Sequence, residues 1–535
     1  MEHQLRGADI VWGALKRGGV TRVFSLSGNH IMPVYDAAFG QGIEIVHVRH
    51  EAAAVHMADA WARLTGEVGV ALVTGGQGHT NAVAALPTAL AGEVPVVLLS
   101  GHAPLNELGM GAFQETPQVD MAAPLCKAAW LSQTTAGLAE DIARAFSLAR
   151  SGRPGPVHVS LPTDIVEAKA VPRLPAPAAY EPVPMPLSSE SVRAILAMLE
   201  GAQRPVICAS SALNTEAGLL AIAELEAACG LPVALMESPR GLLDPAIGDF
   251  GTMLAQADLV ILLGKQLDFT LKFGRTTKAH FVAIEPDGAL VDRAGKLLGE
   301  RLALVARAAP LAAAQTLASA AQTHPGKEWA SELREAMRHR PVAWADLAGR
   351  DGPIHPATLG AALRPWLDGD SVLVADGGEI GQWMQAMLSA PARVTNGVAG
   401  AIGAGIPFAI AASAARPGRR VLAVMGDGSS GFHLIEFDTA ARHDLPFVCV
   451  IGNDARWNAE YQIQVRDYGG NRAHGCELAP ATRYDLVVQA LGGHGEYVTT
   501  GAELGPALER AFASGKPACV NVLIEGQAAP SLKRR

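Results

Sequence analysis

The chain has 535 residues, too many for one domain; at about 150 residues per domain, about three or four are expected. Lys and Arg number 43 and Asp and Glu 52, a net charge of −9, which excludes a broadly basic nucleic-acid binder. Hydrophobic residues at 49% against 18% charged exclude intrinsic disorder, and 5% aromatics with 57 Gly suit βα units with tight turns better than a β-sandwich.

The first residues, Met1 to Arg6, are charged and lead into an amphipathic stretch, so no secretory leader is expected there. Strands are expected at Arg22–Leu26, Ile43–Val48, Val68–Thr74 and Pro95–Gly101. Each of the first three runs into a glycine or His50-Glu51 turn and then a helical stretch, the second of these helices reaching Thr65 after Glu51. Val171 to Leu187 is too Pro-rich for a helix or a central strand and reads as a linker. Strand-like runs return at 204–210, 231–236, Leu259–Gly264 and His280–Pro286. A charged helix, Lys327 to Arg340, leads into a second, vaguer break between His324 and Pro356. Beyond it, strands are expected at Ser371–Ala375, Val421–Met425, Pro446–Ile451 and Ala518–Ile524. The expected fold is α/β, three doubly wound parallel-sheet domains at about 1–180, 188–345 and 355–535. The longest weakly polar run, Ala399 to Ala415, is broken by Gly400, Gly403, Gly405 and Pro407, so no membrane span is expected. The six cysteines form no CxxC pair and read as buried, reduced thiols of a cytoplasmic enzyme.

The sharpest motif is strand, Gly426-Asp427-Gly428, helix, strand, Asn453-Asp454. Leu434, Phe437 and Ala441 fall on one face of the expected helix. Asp427 and Asp454 then stand at the carboxyl ends of two strands, the rim where open α/β sheets bind ligands. Gly428 and Ser429 lie at a helix start, whose free N–H groups attract phosphate. Two carboxylates beside a phosphate cradle suit Mg²⁺. Taken alone, Gly-Asp-Gly is equally a glycine turn with an Asp cap.

This stretch resembles the metal and diphosphate motif of thiamine diphosphate (ThDP) enzymes, where Asn usually stands in place of Asp454. The resemblance implies three protein ligands for the metal: the Asp427 and Asp454 side chains and the Arg456 carbonyl. In the first segment, RHEAAAVHMADAWAR resembles the run holding the activating glutamate of these enzymes, here Glu51. On position alone Glu51 is a helix-start carboxylate favoured by the dipole. TGGQGHTNAV, with Thr74, Gly76, Gly78 and Asn81, resembles their TSGPGxTN loop, and the FQE segment around Gln114 resembles that of acetohydroxyacid synthase and benzaldehyde lyase. GGEIG, with Gly377, Gly378, Glu379 and Ile380, is implied on the diphosphate side. GVAGAIGAG resembles the pyrimidine pocket, with Gly400 offering a carbonyl and Ile402 wedging the cofactor into its bent form. On sequence alone Ile402 would be ordinary core.

LSGNHIMP places Gly28 and His30 after the first strand, where benzaldehyde lyase carries a catalytic histidine accompanied by a glutamine, matched here by Gln114. His50 is expected to be structural, and His79, His102 and His443 stand near loops without further argument. The resemblance implies a ThDP- and Mg²⁺-dependent C–C lyase or carboligase acting on acyloins, aldehydes or 2-keto acids through a C2-carbanion/enamine intermediate. Glu51 would favour the imino form of the pyrimidine, which takes the C2 proton. Acetolactate synthase-type chemistry and 2-hydroxyacyl-CoA cleavage stay open, and a non-catalytic nucleotide-binding scaffold is the third class. The central domain binds FAD in some relatives, but no GxGxxG stands here and FAD is not favoured. A small-molecule substrate, no nucleic acid, and a homodimer or dimer of dimers with each cofactor between two chains complete the expectation. Trp457 to Glu460 replace the usual glycine-containing stretch; Glu460 and Tyr461 carry no assigned role. About ten residues follow the last strand, little for a closing lid.

Overall fold

The computed structural model describes residues 4–347 and 353–533. Asp351 and Gly352, within the second expected break, lie outside the described residues. The chain divides into two compact units, Met1–Pro184 and Met185–Arg535, and the division falls inside the Pro-rich stretch. The second unit holds two of the three large sheets.

The first sheet has six parallel strands: β1 (Arg22–Ser25), β2 (Glu44–His47), β3 (Gly69–Val73), β4 (Val96–His102), β5 (Ala128–Leu131) and β6 (Val157–Pro162). Their spatial order is β2-β1-β3-β4-β6-β5. The middle sheet has five: β7 (Pro205–Ser210), β8 (Val233–Met236), β9 (Leu259–Leu263), β10 (His280–Ile284) and β11 (Leu302–Ala306), in the order β8-β7-β9-β10-β11. The third again has six: β12 (Val372–Ala375), β13 (Ala392–Thr395), β14 (Val421–Gly426), β15 (Val448–Asn453), β16 (His494–Val498) and β17 (Ala518–Leu523). Their order, β13-β12-β14-β15-β17-β16, repeats that of the first sheet. All strand pairs in the three sheets are parallel, giving the expected α/β fold of three doubly wound sheets. Central strands such as β3 and β9 are buried along their whole length, as helices on both faces require. No described helix is long and apolar enough to cross a membrane.

One expected element breaks up. The helix after Asp427 is three pieces: Asp427–Ser430, a 3-10 turn at Leu434–Glu436, and Phe437–Arg442. The Gly428-Ser429-Ser430-Gly431 run has poor helix propensity, and the Ser430 hydroxyl donates to the Asp427 carbonyl at 2.8 Å. The helical phase is therefore lost. Phe437 and Ala440 are core, while Leu434 and Ala441 are only partly buried.

Glu51–Thr65 is the helix that presents the candidate glutamate. His50 caps it, Nδ1 accepting the Ala52 N–H at 3.1 Å, and Gly66 ends it in a left-handed turn (φ 76°). Its residues from Glu51 to Leu64 are all buried, which the small side chains of its six alanines permit. Asp59 and Arg63, one turn apart, pair at 2.6 Å in this interior with side chains 1% and 8% exposed. Removing one partner leaves an uncompensated buried charge. Asp59→Ala is therefore expected to cost about 3–5 kcal/mol, read as an earlier urea transition; an unshifted transition would show that Arg63 finds another partner.

Candidate active site

The first sheet reverses strand order between β1 and β3, and such a reversal opens a crevice at the carboxyl ends of the strands. The loops leaving those two strands pack against each other. A Cβ on Gly28 would fall 2.4 Å from the Thr74 Cβ, so only glycine fits there. His30 is 3% exposed. Its backbone N–H donates to Thr74 Oγ1 at 3.3 Å, its Nδ1 lies 3.3 Å from the same oxygen, and its Nε2 lies 3.1 Å from the Phe113 carbonyl. A carbonyl can only accept, so Nε2 carries the proton and Nδ1 accepts from the Thr74 hydroxyl. Burial lowers the His30 pKa and the nearby His102 lowers it further, against the raising effect of the Phe113 carbonyl. His30 is therefore neutral at pH 7.

Glu51 joins the same cluster. It is 8% exposed, and Asn81 Nδ2 donates to its Oε2 at 3.0 Å. A Cβ on Gly78 would sit 2.7 Å from Thr74 Cγ2 and 3.2 Å from Glu51 Oε1, so Gly78 lets the two side chains approach. Gln114 does not hydrogen-bond His30: its Nε2 donates to Gln77 Oε1 at 3.1 Å, and its neighbour Phe113 supplies the carbonyl that His30 meets. Gln118, inside the FQE segment but not singled out by its sequence, is a buried tie. Its Oε1 accepts the Gly76 N–H at 2.9 Å, and its Nε2 donates to the Gly101 carbonyl and to Ser160 Oγ. An isolated Gln gives no sequence signal for that role. His79, packed against His158, donates from Nε2 to the Gln118 carbonyl at 3.0 Å and lies 2.9 Å from Ser100 Oγ through Nδ1, and burial lowers its pKa to about 4.

The third sheet makes the matching reversal between β12 and β14. Here a cleft is lined by Gly378, Glu379, Ile380, Ile402, Gly426, Asp427, Gly428, Ser429, Asp454 and Arg456, with Trp457 to Glu460 on the same wall. A Cβ on Gly428 would meet the Trp457 ring at 2.7 Å, which explains this glycine and gives Trp457 a place. Gly377 lies beside Ser429. Gly400 shares a loop with Ile402 but does not line the cleft; it is exposed, with Pro239 nearest. Glu379 is buried and paired with Arg240 at 2.6 Å. Burial raises its pKa, Arg240 lowers it, and Glu460 nearby raises it. The Arg456 guanidinium stacks on Tyr461 at 4.4 Å. The short tail runs along this rim: Asn458 donates to the Gln527 carbonyl, Gln462 to that of Gly526 and Trp383 to that of Ala528.

Asp427 is 2% exposed; its Oδ1 accepts the Gly428 N–H at 3.0 Å, and its Oδ2 has no partner among the described residues. Burial pushes the Asp427 carboxyl up to about 6. Asp454 rises to about 7, through burial first and then the Asp427 charge. An orphaned buried carboxylate oxygen on Asp427, with the Asp454 carboxyl close enough to feel its charge, fits a divalent cation. Among the described residues no group of three His, Cys, Asp or Glu side chains could hold a metal, so main-chain and ligand oxygens would have to complete its shell.

Comparison with known proteins gives the class. The N-terminal TPP binding domain of thiamine pyrophosphate enzymes matches residues 5–122, and the C-terminal TPP binding domain matches residues 376–522. The chain belongs to the thiamine pyrophosphate enzyme family and is a ThDP-dependent enzyme. It is 35% identical to a probable acetolactate synthase of Mycobacterium bovis, over 96% of this chain and 94% of that protein. It is 33% identical to 2-hydroxyacyl-CoA lyase 2 of Caenorhabditis elegans, over 97% and 89%, and 31% identical to the human 2-hydroxyacyl-CoA lyase 2, over 97% and 90%.

Proposed function

We propose that the enzyme breaks, and in reverse joins, a C–C bond beside a hydroxyl-bearing carbon, as a lyase and carboligase of acyloin or 2-hydroxyacyl substrates. The observation that carries this reading is His30, a neutral imidazole held by Thr74 in the same crevice as Glu51. Bound ThDP supplies a nucleophilic carbon that adds to a carbonyl and stores the negative charge left by bond cleavage. Glu51, steadied by Asn81, faces the pyrimidine and holds the proton that activates it. Asp427, Asp454 and the Arg456 carbonyl would hold Mg²⁺, which would neutralise the diphosphate; Gly426, Gly428, Ser429 and the Gly378–Ile380 turn line the cleft, with Gly377 beside Ser429. Gly28, Thr74, Gly76 and Gly78 would contact the cofactor from the first domain, and Gly400 and Ile402 would contact its pyrimidine from the third. His30 takes the substrate hydroxyl proton and returns it to product, and Gln114 orients that hydroxyl. The active form is at least a homodimer in the cytoplasm, and no FAD is proposed.

The 35% identical acetolactate synthase favours a second reading, decarboxylation of a 2-keto acid followed by ligation. Assays with benzoin, a 2-hydroxyacyl-CoA and pyruvate, each with ThDP and Mg²⁺, separate the two. His30→Ala is expected to lower acyloin or 2-hydroxyacyl cleavage by about 10²–10⁴-fold, while 2-keto acid decarboxylation, which has no hydroxyl to deprotonate, falls less. Equal losses would reduce His30 to a loop anchor, and no loss in either would favour the acetolactate synthase-type reading.

The cation should compete with protons. The folded-state pKa values of Asp427 and Asp454 are raised, so ionising them as pH climbs through about 6 and about 7 weakens the metal-free fold. A cation requires the ionised forms. The half-saturating Mg²⁺ concentration is therefore expected to rise by roughly tenfold per pH unit for each proton displaced, as pH falls from 7.5 to 5.5. A flat response, or full activity after chelation, would contradict the metal assignment.

A further inference from the structure

Asp376 opens the turn between β12 and the helix Glu379–Met387, and it is fully buried. Among the described residues no cationic side chain pairs with it. Its partners are backbone donors instead: Oδ2 accepts the Gly403 N–H at 2.9 Å and the Gly405 N–H at 2.7 Å, and Oδ1 accepts the Gly377 N–H. Gly405 opens the eleven-residue helix Gly405–Ala415, so the carboxylate also faces a helix start. A Cβ on Gly405 would come within 2.9 Å of the Asp376 Cβ, and Gly403 adopts φ 91° with Phe432 against it. The loop has a second tie at its other end, Asn396 Nδ2 donating to the Ala401 carbonyl at 2.5 Å.

We infer that Asp376 is a positioning residue whose carboxylate clamps the 396–405 loop and thereby sets Gly400 and Ile402 against the cofactor. This rests on the reading that those two residues face the pyrimidine. An ionised carboxylate is acceptor-only and receives all three N–H groups; an Asn would turn its own donor toward one of them. Burial raises the Asp376 pKa to about 6, so the clamp is ionised at neutral pH.

The test begins on the cofactor-free wild-type protein, where amide hydrogen exchange should show the Gly403 and Gly405 N–H groups protected. Fast exchange there overturns the clamp. Asp376→Asn should lose that protection, raise half-saturating ThDP by about 10- to 100-fold, read by tryptophan fluorescence, and slow C2 hydrogen exchange at saturating ThDP. Lost protection with unchanged ThDP binding and C2 exchange overturns the positioning role. If Asp376→Asn does not fold, Asn396→Ala loosens the same loop and should raise half-saturating ThDP; an unchanged value again overturns the positioning role. Ile402→Ala tests the underlying reading separately: if it leaves ThDP binding and C2 exchange unaltered while wild-type protection stands, the loop is clamped but does not face the cofactor, and the proposal falls with that reading.

Discussion

A parallel sheet with one reversal of strand order leaves a gap at the carboxyl ends of two neighbouring strands, and both TPP binding domains are built around that gap. The strand order is the same in the first and third sheets, yet the gaps are furnished differently. In the first, Gly28 and Gly78 let Thr74 approach both His30 and Glu51, so an imidazole and a carboxyl group share one crevice. In the third, Gly428 packs under Trp457 and leaves a cleft whose polar floor is two aspartates. The same topology thus presents an imidazole and a carboxyl in one domain and a pair of aspartates beside a glycine turn in the other.

Charge decides what the second cleft can hold. Asp427, Asp454, Glu379 and Glu460 line it, while Arg456 is turned onto Tyr461 and Arg240 is already paired with Glu379. A diphosphate placed there without a cation would add negative charge to a site already short of positive partners. Asp454, where Asn is usual in the resembling motif, deepens that deficit once it ionises, as pH rises through about 7. Asp376 contributes a further buried carboxylate, but its charge is taken up by three backbone N–H groups.

Much of this was legible in the sequence because glycine turns and short β-branched runs mark βα units directly. Every strand expected from sequence is present, its ends displaced by only a residue or two at most positions. Strands β5, β6, β11, β13 and β16 were not expected: all but β6 are edge strands and only partly buried, so their alternation is weak, while β6 is buried throughout and shows no alternation at all. The helix after Asp427 was misjudged because hydrophobic spacing cannot see a Gly-Ser-Ser-Gly break. Most motif residues of each domain lie close together, but Gly400 stands apart, exposed beside Pro239. Gln118 and Asp376 were missed for one reason: each acts through backbone groups that are distant in sequence, and a single Gln or Asp carries no periodic signal.

Glu51 is the residue on which the catalytic reading turns, since it links the fold of the first domain to the chemistry of the cofactor. The most direct measurement is hydrogen–deuterium exchange at the thiazolium C2 of ThDP bound to Glu51→Gln. Gln keeps the shape and the contact with Asn81 but cannot hold the activated pyrimidine's proton. Exchange slowed by about 10²-fold or more, with ThDP still bound, is the predicted result; exchange at the wild-type rate would mean that another group activates the cofactor.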